Sequence, residues 1–103
     1  MKDKISMPLI EAMLQYKSED VYPLHTPGHK GGRGMQRLLR QELGASVQMD
    51  VSLMSELDDI HEPETYIKEA QELAAQTYGS DACFWAVNGT SQAIHAMLLI
   101  VLN

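Results

Sequence analysis

The segment 82–99, ACFWAVNGTSQAIHAMLL, constrains the fold of this chain more than any other. An apolar run ends at Asn88-Gly89, and a second apolar run follows Thr90-Ser91. This layout is typical of a buried strand, a tight turn and a helix, whose first backbone N–H groups have no partner within the helix. Because a helix N-terminus also carries partial positive charge, we interpret the turn as a candidate phosphate site.

A simpler interpretation of the same turn is a helix cap. Ser and Thr at the start of a helix commonly accept hydrogen bonds from its free N–H groups, and no ligand is then required. From Gly89, Thr90 and Ser91 alone, the cap is the favoured interpretation. The turn has no lysine at the Walker A position and does not form a GxGxxG motif, so neither of these nucleotide-binding motifs is present.

Length and composition describe one small soluble domain. The chain has 103 residues, 45% of them hydrophobic, which suffices for one such domain and not for two. Its net charge of −6 argues against non-specific binding of nucleic acids, which depends on Lys and Arg. The single cysteine, Cys83, excludes an internal disulfide. The apolar run 96–102 is far shorter than the ~20 residues that cross a bilayer, and the N-terminus lacks a signal-peptide pattern. We therefore predict a cytoplasmic protein that binds no membrane.

Three further segments have the pattern of helices. Each places apolar residues three or four positions apart on one face. A proline stands in the first turn of the first and third helices, and Gly44 and Gly79 end the second and third. The predicted helices cover residues 7–16, 35–43 and 63–78.

Residues 45–57 have an ambiguous pattern. Val47, Met49, Val51 and Leu53 alternate with polar residues, which is the period of a strand. Together with the strand that precedes the Asn-Gly turn, this predicts an α/β chain that is mostly helical with one or two strands. So few strands do not form a stable parallel sheet alone.

The segment 25–32, HTPGHKGG, combines reactive side chains with residues that fix or free the backbone. His25, His29 and Lys30 in such a setting are typical of a catalytic or substrate-orienting loop, and an ordinary turn is the alternative. The two histidines do not share a helical face in a Pro-Gly segment, so we predict no metal site here.

An acidic block, SELDDIHEPE at 55–64, overlaps the end of the possible strand. It could form a cation-facing loop or a carboxylate–histidine pair, but a solvated turn before a helix is the favoured interpretation, because the helix dipole favours acidic residues there. The residues concerned are Glu56, Asp58, Asp59, His61, Glu62 and Glu64.

Taken in order, these motifs resemble the N-terminal part of the Orn/Lys/Arg decarboxylases. These are enzymes of fold type I that use pyridoxal 5′-phosphate. The resemblance runs from about Pro23 to Met97, which is nearly the whole chain. It rests on HTPGHKGG at 25–32, an acidic run from Asp50 through Glu56 to Asp58-Asp59-Ile60-His61, Ala-Gln and Ala-Ala pairs at 70–75, Tyr-Gly at 78–79 and VNGTS at 87–91.

The resemblance implies both architecture and activity. Residues 1–20 would be an N-terminal helix, and residues 21–103 the start of the cofactor-binding major domain. The substrate would be arginine, lysine or ornithine, and the enzyme would be a homo-oligomer with active sites between subunits. The implied cofactor-binding residues are Gly89, Thr90, Ser91 and Gln92. The implied residues of the active-site region and the subunit interface are His25, His29, Lys30, Asp58, Asp59 and His61.

The family's Schiff-base lysine has no counterpart in this chain, and neither do its pyridine-binding aspartate and its ring-stacking residue. We therefore assign no catalytic residue and expect an N-terminal fragment that is inactive alone. Two alternatives stay open: a small helical domain that binds a protein partner without catalysis, and a separate phosphate- or nucleotide-binding module. The lysines are Lys2, Lys4, Lys17, Lys30 and Lys68.

Overall fold

The computed structural model describes residues 6–19, 21–52 and 54–102. The chain divides into two compact units, the first ending at Ala70 and the second beginning at Gln71. Within the described residues the regular elements are helices α1 (Pro8–Ser18), α2 (Arg37–Leu43), α3 (Tyr66–Tyr78) and α4 (Gly89–Leu102), with short 3-10 turns at Lys30–Gly32 and Gly44–Met49.

The first unit is built around the Gly44–Met49 turn. Val47 of this turn is 6% exposed, and the turn packs against α1, α2 and the Lys30–Gly32 turn. Helix α1 contributes Ala12, which is equally well buried, and it begins at Pro8 because the fixed φ of proline suits the first helical position. The predicted helix at 7–16 is confirmed and continues to Ser18.

Helix α3 begins at Tyr66, three residues later than predicted. The reason is Asp58, whose buried carboxylate accepts hydrogen bonds from the backbone N–H groups of Glu64, Thr65 and Ile67. Because these N–H groups donate to a side chain of the preceding loop, the residues around Pro63 belong to the loop before the helix and not to its first turn.

Glycines end two of the helices as predicted. Gly44 follows α2 with φ +57, and Gly79 follows α3 with φ +66. Beyond Gly79, the Ser80 N–H donates to the Ala75 carbonyl at 3.0 Å, which is the closing bond of a glycine-capped helix end.

The predicted strands are wrong. Residues 45–49 form a 3-10 turn, and residues 82–87 have no regular structure. The described residues contain one isolated antiparallel bridge, between Met54 and Asp58. A strand satisfies its backbone groups only through a neighbouring strand, and apolar alternation cannot supply one. The α/β expectation is therefore corrected to a mostly helical chain; Leu53, which belonged to the predicted strand, lies outside the described residues.

The second unit contains α4, so the helix predicted after the Asn-Gly turn is confirmed; its first residue is Gly89, which the sequence placed in the turn. From Ala93 to Leu102 its side chains are apolar except for His95, and Ile100, Val101 and Leu102 are each 79% exposed. Within the described parts of the chain, no helix is both long and apolar enough to cross a membrane.

Candidate functional site

The loop that carries HTPGHKGG is closed by its own backbone. Lys30, Gly31 and Gly32 have successive φ values of +51, +63 and +89. This left-handed run returns the chain on itself, so the N–H groups of Gly32 and Gly34 both donate to the His29 carbonyl, at 2.9 and 3.0 Å. Lys30 is the least favourable of the three residues in this conformation, since a left-handed φ costs a residue with a side chain about 1 kcal/mol. Its ammonium group donates to the His25 carbonyl, which holds the lysine in place.

His25 joins this loop to helix α1. Its Nδ1 contacts the carbonyl oxygen of the neighbouring Thr26. Nε2 forms a hydrogen bond with the Tyr16 hydroxyl at 3.1 Å.

His29 joins the loop to residues 50–52. Its Nε2 donates to Asp50 Oδ2 at 3.0 Å, and the neighbouring Thr26 and Ser52 hydroxyls lie 3.4 Å apart. The other ring nitrogen, Nδ1, is buried and has no hydrogen-bond partner among the described residues. The two histidines of the motif are therefore oriented by different parts of the chain, His25 by α1 and His29 by residues 50–52.

A cleft of about 100 Å³ lies beside this loop, and side chains of both charges line it. Lys17 comes from the end of α1, Lys30 from the loop, and Arg33 from just after it, whereas Asp50 carries negative charge. The Arg33 guanidinium lies 5.3 Å from the centre of the Tyr22 ring, in range of a cation–π interaction. The other lining residues are Tyr16, Val21, Pro23, His25, Pro27, Gly31, Gln48 and Val51.

The acidic block lines a separate hollow, and none of the described residues that line it also lines the cleft. Asp58 is 7% exposed and is saturated with hydrogen bonds, since its two oxygens accept from four backbone N–H groups at 2.9–3.0 Å. Asp59 accepts from the His61 N–H at 2.8 Å and so closes a local turn. Both Asp59 and His61 are exposed.

These hydrogen bonds determine the ionisation of Asp58. Burial raises the pKa of a carboxylate, but here the backbone N–H groups of Glu64, Ile67, Thr65 and Asp59 together lower it by more. The resulting pKa is about 2, against an ordinary value of 3.8. Asp58 therefore stays ionised at neutral pH and acts as an anchor for the chain around it.

The turn at the start of α4 belongs to the second unit. Gly89 has φ +82, and Thr90 and Ser91 are exposed in the first helical turn, which contains no acidic residue. The side-chain oxygen of Gln92 accepts from the Asn88 N–H at 3.0 Å, so Gln92 closes the turn.

Several residues of the cleft, Tyr16, Lys17 and Arg33 among them, were not named as site residues from the sequence. Asp50 was named only as the start of the acidic run that carries part of the resemblance. Proximity to the glycine-rich motif was a usable signal for Arg33. Tyr16 and Asp50 reach the loop only through the folded contacts with His25 and His29.

The comparisons with known proteins agree on one family. Residues 7–103 match the family model described as Orn/Lys/Arg decarboxylase, major domain. The arginine decarboxylase of Bacillus cereus is 39% identical over 95 residues, which cover 91% of this chain and 21% of that protein. The corresponding protein of Bacillus subtilis is 40% identical over 95 residues, covering 91% of this chain and 19% of the relative.

A lysine decarboxylase, from Hafnia alvei, is 32% identical over 98 residues, which cover 88% of this chain and 13% of that protein. No solved structure matches the chain significantly. The chain thus spans about a fifth of the length of the arginine decarboxylases that it matches. Because the family model covers nearly all of its residues, the chain belongs to the Orn/Lys/Arg decarboxylase family.

Proposed function

We propose that this chain forms part of the active-site region of a pyridoxal-phosphate-dependent decarboxylase of a basic amino acid. The observation that carries the proposal is the match of residues 7–103 to the family's major domain. We favour arginine as the substrate, because relatives named arginine decarboxylase are 39–40% identical to the chain and those named lysine decarboxylase are 30–32% identical. The reaction removes the α-carboxylate as CO₂ and leaves the corresponding amine.

The start of α4 fits the phosphate group of the cofactor. No atom outside its own turn lies within 4 Å of the position of a Cβ on Gly89, so an anion has room to approach the backbone there. Thr90 and Ser91 add exposed hydroxyl donors, and the first turn brings no negative charge. We assign the phosphate to these three residues, with Gln92 supporting the turn from behind.

The cofactor, when bound, supplies an electron sink for the bond that breaks between the α-carbon and the carboxylate. The role of this chain's residues would be to bind and orient the cofactor and the substrate. Thr90 and Ser91 would anchor the phosphate, and the loop with His25, His29 and Lys30 would lie near the substrate. The support for the loop's role is its fixed geometry, since it is bonded to α1 and to residues 50–52.

Asp58, Asp59 and His61 are proposed to lie near a subunit interface of the active site. Asp58 would act by fixing the segment, because backbone N–H groups occupy both of its oxygens. We also propose that the working enzyme is a cytoplasmic homo-oligomer. The support for this is the resemblance of the motif order to enzymes that are dimers or larger.

The cofactor assignment is tested in a chimera in which residues 7–103 replace the matched segment of the Bacillus subtilis arginine decarboxylase. Thr90→Ala/Ser91→Ala should weaken cofactor binding about tenfold or more, because it removes two hydroxyl donors to a charged phosphate. The control, Thr77→Ala, removes an exposed hydroxyl that donates to the Leu73 carbonyl of α3. It should leave the affinity within about twofold. Titration followed by cofactor absorbance measures both, and equal affinity for the double variant and the unaltered chimera contradicts the assignment.

We further propose that the chain by itself releases no CO₂. In the order of its motifs, none of its lysines matches the cofactor-binding lysine of the family. The purified chain, incubated with pyridoxal phosphate and each of arginine, lysine and ornithine in turn, should release CO₂ at the rate of a protein-free control. Release above that rate from any of the three contradicts the proposal.

A further inference from the structure

The His25 side chain is held by contacts from inside and from outside the HTPGHKGG loop. Its Nδ1 contacts the Thr26 carbonyl, and its own carbonyl accepts from the Lys30 ammonium, so both of these contacts are made within the loop. The third contact joins Nε2 to the Tyr16 hydroxyl at 3.1 Å. Because Tyr16 belongs to α1, this contact ties the imidazole to a separate element of the fold.

Helix α1 is a firm support for the Tyr16 hydroxyl. Ala12 is buried one turn before Tyr16 on the same face of the helix, and α1 packs against the Gly44–Met49 turn at the centre of the first unit. Tyr16 is itself half-buried, and a tyrosine has only two side-chain torsions to restrict. The hydroxyl is therefore a well-defined point to which a loop residue can be bonded.

A hydroxyl suits a histidine in each of its protonation states. It both donates and accepts, so it can pair with a ring nitrogen that carries a hydrogen and with one that does not. A carboxylate in the same place would favour the protonated ring, because opposite charges stabilise each other. Tyr16 can thus fix the direction of the His25 ring without selecting its protonation state.

Tyr16 and His25 both line the cleft of about 100 Å³ beside the loop. The orientation of the His25 ring decides which of its edges a molecule in the cleft would meet. We propose that Tyr16 is a positioning residue, which orients the His25 imidazole towards the substrate of the decarboxylase. This inference rests on the proposed function, because the place of the loop near the substrate is part of that proposal.

The test is Tyr16→Phe in the chimera with the Bacillus subtilis arginine decarboxylase, a change that removes the hydroxyl and keeps the ring. The value of kcat/KM for arginine should fall about tenfold, because a ring that is free to turn is misplaced for much of the time. The control, Tyr22→Phe, removes a hydroxyl from a ring that is 72% exposed and is not among the described residues lining the cleft. It should stay within about twofold of the unaltered chimera. A loss for Tyr16→Phe no larger than that of the control overturns the proposal.

A double-mutant cycle tests whether Tyr16 acts through His25. In a chimera that already carries His25→Ala, Tyr16→Phe should lower kcat/KM by less than about twofold, because the ring that it would orient is gone. The assays use enough enzyme for slow variants to be measured. An equal loss with and without His25 would give Tyr16 a purely structural role and would overturn the proposal.

NMR of the ¹⁵N-labelled 103-residue chain measures the contact apart from catalysis. Tyr16→Phe should move the His25 Nε2 resonance and leave the ring resonances of the exposed His61 in place. An unmoved His25 resonance overturns the inference while the proposed function stands. An unaltered chimera that releases no CO₂ overturns the proposed function, and the role of Tyr16 with it, so the two failures are distinguishable.

Discussion

At the scale of single residues, Asp58 shows how one buried charge organises a loop. It adopts φ +79, a conformation that Asp tolerates better than most residues, and from there it reaches backbone N–H groups as far along the chain as Ile67. The sequence led us to expect a solvated acidic turn, which fits the exposed Asp59 and His61. Burial of Asp58 could not be foreseen, because no hydrophobic period marks a carboxylate that is paired with backbone donors.

The lowered pKa of Asp58 predicts a loss of stability in acid. The pKa is about 2 in the folded chain and near 3.8 when unfolded, so the ionised form contributes about 2 kcal/mol to folding above pH ~4. This contribution is lost as the pH falls from ~4 through ~2. Asp58→Asn should therefore lower the free energy of unfolding by about 2 kcal/mol at pH 7 and by much less near pH 2.

Urea unfolding at the two pH values measures this difference. Asp59→Asn is the matched control, because Asp59 is exposed and accepts one bond from the His61 N–H. A difference between wild type and Asp58→Asn that is the same at both pH values would show that the ionised carboxylate is not what stabilises the loop.

At the scale of elements, the glycine-rich loop is held by close backbone contacts. A Cβ on Gly34 would lie 3.1 Å from the Gly28 carbonyl oxygen. The peptide group of this carbonyl joins Gly28 to His29, and the His29 carbonyl accepts two hydrogen bonds of the loop. A Cβ on Gly28 would meet nothing within 4 Å. Two glycines of one loop are therefore expected to respond differently to the same substitution.

Gly34→Ala should destabilise the chain by about 1–2 kcal/mol, because the crowded carbonyl cannot shift without straining the loop. Gly28→Ala should be neutral or stabilising by up to about 1 kcal/mol, because alanine restricts the unfolded chain. Unfolding in urea compares the two variants. If Gly34→Ala were as stable as Gly28→Ala, the close contact would not be a constraint on the loop.

The sequence predicted helices well and strands poorly, for a physical reason. Glycine at positive φ ends a helix by local geometry, so Gly44 and Gly79 were recognisable without the fold. A strand depends on a neighbour distant in the chain, and the alternation around Val47 instead accompanies a 3-10 turn that buries this residue. The cleft was missed in part for the same reason, since its walls come from separate segments.

At the scale of the whole molecule, α4 exposes more apolar surface than is usual for a small protein. Its apolar residues surround the helix, a pattern typical of helices buried in larger domains, and Phe84 just before it is 84% exposed. The relatives named arginine decarboxylase are about five times as long as the segment matched here. Their additional length would supply the cover that such a helix requires.

The isolated chain should therefore self-associate in a concentration-dependent way. Ile100→Lys/Val101→Lys places two charges on the exposed face of α4 and should shift the equilibrium towards monomer. Leu38→Lys, at an exposed apolar position on α2, is the control and should leave the association unchanged. Sedimentation velocity over a range of concentrations measures the self-association of each variant. A chain that stays monomeric at every concentration contradicts the prediction.

The most direct test of the central claim is catalysis by the chimera that carries residues 7–103 in the Bacillus subtilis arginine decarboxylase. CO₂ release from arginine, with lysine and ornithine as competing substrates, measures whether this chain serves as the corresponding part of such an enzyme. We predict decarboxylation of arginine within about tenfold of the parent rate, since most substitutions between homologous segments cost little individually. A chimera that folds and binds the cofactor but releases no CO₂ from any of the three amino acids would contradict the claim.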